Sequence, residues 1–156
     1  MSTLTTETVT LKYLATRREM RAVIEIGEGR RINAETAGWL LETHRGRRGQ
    51  IGLVAIVAER VVGYVIFNVG YHHLRIVSLG VAEGYRRRKI GTQLLRAVKV
   101  KACANRPTLT WAVPDDCVDV HLFLRACGVR AVGVEGDTYS FAWSIPANDQ
   151  WEAVAC

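Results

Sequence analysis

Residues 76–95 read IVSLGVAEGYRRRKIGTQLL, and this stretch decides the fold. A β-branched apolar run ends at Leu79-Gly80-Val81. After a short polar turn come four consecutive cations, Arg86, Arg87, Arg88 and Lys89, and then Ile90-Gly91-Thr92 opens an amphipathic pattern. The order is strand, basic turn, helix. Such a junction suits a phosphate, because the first N–H groups of a helix lack acceptors within it and the positive end of its dipole points the same way.

Working outward, the helix is predicted over Gly91–Cys103. It places Gly91, Leu94, Leu95, Val98 and Ala102 on one face, with Arg96, Lys99 and Lys101 largely outside that stripe. The strand before the basic turn runs Leu74–Val81. Two apolar runs precede it, Ile51–Ala58 and Val61–Asn68, separated by Glu59-Arg60; they predict a hairpin, although Glu-Arg is not a pair that primed turns favour. Val9–Leu14 alternates like an opening strand. Thr16-Arg17-Arg18-Glu19 has the form of a capping box, with Met20, Val23 and Ile24 as one helical face. A second helix is predicted over Glu35–Thr43, ended by the Gly- and Arg-rich stretch Arg45–Gln50. Beyond the central helix, Leu109–Val113 is a short strand stopped by Pro114. Asp116 is predicted to cap a helix through Cys127, and Gly128 stands where a C′ glycine ends one. Val129–Val134 and Tyr139–Ile145 close as a hairpin around Glu135-Gly136-Asp137.

The resulting order is β-α-α-β-β-β-α-β-α-β-β. A strand, crossover helix and strand over residues 74–113 needs a parallel pair, and the hairpins supply antiparallel ones. The expected fold is therefore α/β: a mixed central sheet of about seven strands flanked by about four helices. Residues 1–145 form the expected single domain, and 146–156 a tail with Trp151 as its one anchor.

At 156 residues, 49% apolar and 23% charged, the chain is long enough for one full hydrophobic core and has the balance of a soluble globule. No apolar run approaches the roughly 20 residues that span a bilayer. The N-terminus MSTLTTET lacks a basic and a hydrophobic region, which predicts a cytoplasmic protein. Cys103, Cys117, Cys127 and Cys156 show neither CxxC pairing nor histidines at ligand spacing, so reduced thiols and no metal are expected. The net charge of +6 is concentrated at Arg30-Arg31, Arg45–Arg48 and Arg86–Lys89. It attracts polyanions but does not choose among them.

The central stretch resembles the acetyl-CoA-binding segment of the GNAT acyltransferase superfamily, and the element order over residues 9–145 is similar to that fold. Within the superfamily it is most similar to the ribosomal-protein-alanine N-acetyltransferase type. The family segment carries Gln or Arg, two variable residues, Gly, one variable residue, and Gly or Ala. Here Arg86 takes the first place, Lys89 the first glycine place and Gly91 the second. Lys89 is a departure, since glycine lets the backbone close on a pyrophosphate without a Cβ. The resemblance implies acetyl-CoA as cosubstrate, with Leu79, Gly80 and Val81 bonding the pantetheine arm. It further implies that Arg86, Arg87, Arg88, Lys89, Ile90, Gly91 and Thr92 cradle the pyrophosphate.

The catalytic side of the resemblance is unmatched. Alignment puts Leu124 at the family's tyrosine, Ala112 at its glutamate, and Arg75 where other branches carry a glutamate. Cys117 falls at a frequent cofactor-contacting Asn. His72, His73, His121, Tyr85, Tyr139, Asp115 and Asp116 are the remaining titratable candidates, and none is assigned as catalytic. The expected function is N-acetylation of a primary amine, a protein N-terminus or a small amine, by direct transfer from acetyl-CoA. The alternative is a catalytically degenerate acetyl-CoA-binding or scaffold protein. Nucleic acid is disfavoured as a partner, because few aromatics interleave the arginine runs. No membrane partner is expected, and monomer and homodimer remain open.

Overall fold

The computed structural model describes residues 8–27 and 50–146. Seven strands, three helices and a 3-10 turn lie within them. Strand β1 is Thr10–Tyr13, helix α1 Arg17–Gly27, β2 Gln50–Val57, β3 Arg60–Val69 and β4 His73–Val81. The 3-10 turn Glu83–Tyr85 follows, then α2 Ile90–Lys99, β5 Thr108–Pro114, α3 Val118–Ala126, β6 Arg130–Glu135 and β7 Thr138–Ser144. The sheet order is β1-β2-β3-β4-β5-β7-β6, with β4 and β5 parallel and β1–β2, β5–β7 and β6–β7 antiparallel. This is the expected mixed sheet. The helix predicted over Glu35–Thr43 and the basic clusters Arg30-Arg31 and Arg45–Arg48 lie outside the described residues. No helix among the described residues is long and apolar enough to cross a membrane.

The chain divides into two compact units, one comprising Met1–Ile66 and Ser78–Leu94, the other Phe67–Val77 and Leu95–Cys156. In the first, the capping box forms as read. The Thr16 hydroxyl accepts the Glu19 N–H at 3.1 Å, while the Glu19 carboxylate accepts the N–H groups of Ala15 and Thr16, each at 3.0 Å. Lys12 pairs with the other carboxylate oxygen at 2.6 Å. Burial works against ionising Glu19, but the Lys12 ammonium and these donors outweigh it and hold the carboxyl below its ordinary pKa. Met20 and Val23 face the core, which continues through Leu53, Val54, Ala55, Val57, Val62, Val65 and Ile66.

The β2–β3 connection is the two residues Ala58-Glu59, one position earlier than the sequence suggested. Both take positive φ, 48° and 65°. A two-residue turn matching the right-handed strand twist needs that conformation, and here two non-glycine residues supply it.

In the second unit, β5 alternates cleanly: Leu109, Trp111 and Val113 are buried, with Leu74, Ile76 and Phe141 in the same core. Helix α3 starts after Cys117, which occupies the N-cap without a side-chain capping bond. Asp116, the expected cap, stands one residue before that position, and its carboxylate accepts the Cys117 thiol at 3.7 Å. The end of α3 follows the sequence closely. Gly128 has φ 78°, its N–H reaches the Arg125 carbonyl at 3.1 Å, and the Val129 N–H reaches the Leu124 carbonyl at 2.9 Å. That is a Schellman closure, with Leu124 and Val129 both buried beside it.

Lys99 adds a cation there, donating to the Cys127 carbonyl at 2.6 Å and standing 4.9 Å from the Trp143 ring centre. Burial pulls its ammonium below the usual lysine pKa. Helix α2 ends at Lys99, four residues before the predicted limit. Its inward residues Ile90, Leu94, Leu95 and Val98 are fully buried, each worth about 1.5–3 kcal/mol. After Val98 the face is exhausted, and shorter bonds, Lys101 to Val98 and Ala102 to Lys99, turn the chain. Cys117 and Cys127 form no disulfide, whereas Cys103 is disulfide-bonded, which corrects the expectation of reduced cysteines throughout.

Candidate active site

The predicted cradle lies wholly within the first unit. Leu79, Gly80 and Val81 end β4 and are all buried. Gly80 is required by a close approach, since a Cβ there would stand 2.7 Å from Cε1 of Tyr64. Tyr64, on β3, is 1% exposed, and its hydroxyl bonds the Ser78 hydroxyl at 2.8 Å. Gly63 beside it keeps α2 close: a Cβ would meet Ile90 Cγ2 and Leu94 Cδ1, each at 3.2 Å. Gly63, Tyr64 and Ser78 thus set the platform under the end of β4. The sequence carries one signal for them, a glycine in mid-strand, which marks close backbone approach.

The chain leaves β4 through Ala82, whose N–H bonds the Val62 carbonyl at 2.7 Å, and passes the 3-10 turn. Arg86 is extended, with φ −68° and ψ 156°, and its Nε donates to the Val81 carbonyl at 3.2 Å. This side chain clamps the turn onto the strand end. The Arg88 guanidinium stands 5.2 Å over the Tyr85 ring, which gives Tyr85 a packing role.

Arg87 and Lys89 take φ of 65° and 62°. Lys89, in the first glycine place of the family segment, has therefore adopted a glycine-like backbone. Its carbonyl accepts the Gln93 N–H at 3.0 Å, which makes it the N-cap of α2. Positive φ at Arg87 and Lys89 bends the chain sharply into the N-terminus of α2, where the first helical N–H groups and the helix dipole favour an anion. All four cationic side chains are exposed.

Of the titratable candidates, Tyr85 lies in the first unit, beside the predicted cradle, and the others belong to the second unit. His72 and His73 are exposed at the start of β4, and Asp115 and Asp116 are exposed after β5. His121 bonds the Pro114 carbonyl through Nε2 at 2.8 Å and packs edge-on against Tyr139 and Phe141, each 5.0 Å away. It is a satisfied boundary residue. Leu124 is fully buried, and Ala112 is exposed between inward Trp111 and Val113. Among the described residues no group of His, Cys, Asp or Glu has the arrangement of a metal site.

Residues 17–129 match the model of the acetyltransferase (GNAT) family. The chain belongs to that family. Solved GNAT structures share its fold. Arabidopsis thaliana NAA60 in complex with a bisubstrate analogue superposes with a TM-score of 0.74 at 15% identity, covering 89% of this chain and 99% of its own. Ard1 from Thermoplasma volcanium gives 0.71 at 20% identity, covering 88% and 97%. The PaiA N-acetyltransferase of Thermoplasma acidophilum, in complex with coenzyme A, gives 0.68 at 14% identity, covering 88% and 99%. No curated protein matches in sequence. GNAT membership implies acetyl-CoA-dependent acetyltransferase activity; the ribosomal-protein-alanine type is not singled out among these relatives.

Proposed function

We propose that this GNAT chain transfers an acetyl group from acetyl-CoA directly to a primary amine. The observation that carries the reading is the basic turn at the N-terminus of α2, with Lys89 in a glycine's conformation at a glycine's place. Leu79, Gly80 and Val81 would align the pantetheine arm, and the backbone from Arg87 to Thr92 would hold the pyrophosphate. Arg86 acts through the Val81 carbonyl and positions the strand end. Acetyl-CoA supplies the activated thioester; the chain contributes alignment and backbone donors. With no carboxylate or histidine assigned as base, an α-amino acceptor, with pKa about 8, is favoured over a lysine near 10.4. A protein N-terminus, as in the ribosomal-protein-alanine type, and a small amine both meet that condition. Residues 1–145 make up the transferase domain in this reading.

Calorimetry with acetyl-CoA, paired with release of CoA thiol against a panel of amines, tests it. Binding with turnover is expected, and the double reversal Arg87→Glu, Lys89→Glu should abolish the binding. Unchanged affinity in that variant sinks the site. Leu124 in the core and Ala112 without an acidic group favour a second reading, a binding module without catalysis. It predicts the same calorimetry with no turnover of any amine.

A further inference from the structure

Four strands of the second unit place Arg75, Thr110, Ala142 and Arg130 in one row across the sheet. Arg75 is registered with Thr110, Thr110 with Ala142, and Ala142 with Arg130. Registered neighbours share a face. Leu109 and Trp111, on either side of Thr110, are 1% and 8% exposed, so the row lies on the face away from this core. Arg75 and Arg130 are both exposed, and neither forms an ion pair with a carboxylate among the described residues. Three strand spacings set their backbones about 14 Å apart. Between them the floor is Thr and Ala.

The rows on either side continue the pattern with Thr108 and Ser144, and with Ala112 and Ser140. Charge is graded along the strands. His73, registered with Thr108, adds to the arginine end, while Glu135, paired with Thr138, stands two rows beyond at the other. The face is thus floored by small residues, with the Thr108 and Ser144 hydroxyls bonded to each other at 3.1 Å, Thr110 donating to the Leu74 carbonyl at 3.5 Å, and two guanidinium forks at the rim. Guanidinium forks match carboxylates bidentately. No Phe, Tyr or Trp lies in these three rows, which leaves nothing on which bases could stack.

We propose that this face docks a peptide carrying carboxylates close to its N-terminus. That such a peptide is also acetylated rests on the transferase reading. The surface itself rests on the register and charge of the row.

The test uses three matched hexapeptides, with acidic, neutral and basic residues at the second and third positions. Peptide binding is followed by fluorescence anisotropy, turnover by thiol release, and acetyl-CoA affinity by calorimetry. Arg130→Glu and Arg75→Glu should each weaken the acidic peptide at least tenfold and shift preference to the basic one. Arg130→Lys should recover part of the loss, and acetyl-CoA affinity should stay within twofold in all three. Acidic-peptide binding that ignores both reversals overturns the proposal. So does tighter binding of a single-stranded RNA that the same reversals abolish, or a sedimenting dimer that excludes the peptide and is broken by Arg130→Glu. Arginine-dependent peptide binding without turnover upholds the surface and removes the transferase reading.

Discussion

Replacing Lys89 with glycine separates two roles that this residue combines. Its φ of 62° is left-handed, which burdens a non-glycine residue by about 1–2 kcal/mol. Glycine relieves that strain, but it frees the unfolded chain by about 0.4–1 kcal/mol. The net is a gain of about 0.5–1 kcal/mol, or roughly 1–4 °C in Tm for a chain of this size. The charge acts in the opposite direction on cofactor binding. A unit cation about 7 Å from a doubly charged pyrophosphate contributes about 1 kcal/mol in a water-like dielectric, close to a fivefold change in affinity. Lys89→Ala removes the same charge and keeps the strain. Thermal unfolding and acetyl-CoA calorimetry should therefore show the glycine variant more stable than wild type and the alanine variant not. Both should bind about fivefold more weakly at low salt, with the difference shrinking as salt rises. Equal stability of the two variants would refute the conformational part of the reasoning. Wild-type affinity in both would remove Lys89 from the phosphate site.

Further substitutions follow from the same geometry. Gly80→Ala forces a Cβ to 2.7 Å from the Tyr64 ring and should lose about 1–3 kcal/mol in urea unfolding, along with acetyl-CoA affinity. Adding Tyr64→Leu should restore part of that stability, and a purely additive double variant would show that the contact is not the cause. The turn exchange Ala58→Asn with Glu59→Gly supplies residues suited to φ of 48° and 65° and should stabilise by about 1 kcal/mol. An unmoved denaturation midpoint counts against it. Glu19→Gln should lose about 1 kcal/mol at pH 7. Because the folded carboxyl lies below its ordinary pKa, the stabilisation is present above the unfolded value near 4.3 and fades as pH falls through the folded one. The gap between wild type and variant should narrow from pH 7 to pH 3; a constant gap would assign the effect to packing.

Local chemistry was legible in the sequence wherever it closes within a few residues. The Thr16–Glu19 box and the Gly128 closure depend on partners three to five positions away, and both form as read. Sequence pattern and structure differ where two local solutions compete. Asp116 and Cys117 both precede α3, but the bond from the Cys117 N–H to the Pro114 carbonyl sets a turn that delays the helix by one residue. Ala102 continues the apolar period past the end of α2 at Lys99, so periodicity alone extends the helix beyond the point where Val100 is exposed. In the candidate site, the cation run and the strand before it were visible. The Tyr64–Ser78 bond was not, because it joins residues fourteen apart through strand register, which alternation alone does not fix. The same limit hid the row from Arg75 to Arg130, which spans four strands.

The left-handed backbone at Arg87 and Lys89 bears on how such a site changes over generations. An anion gripped partly by main-chain N–H groups depends on backbone conformation as well as on the charges that hang from it. Substitutions that preserve positive φ at these two positions keep that backbone part, even when the glycines that usually mark it are gone. A proline at any of these positions would erase it in one step, since proline both lacks the donor and cannot enter the left-handed region. Inheritance here acts on dihedral angles as well as on letters, and a glycine-based signature will pass over chains that reach the same φ values with other residues.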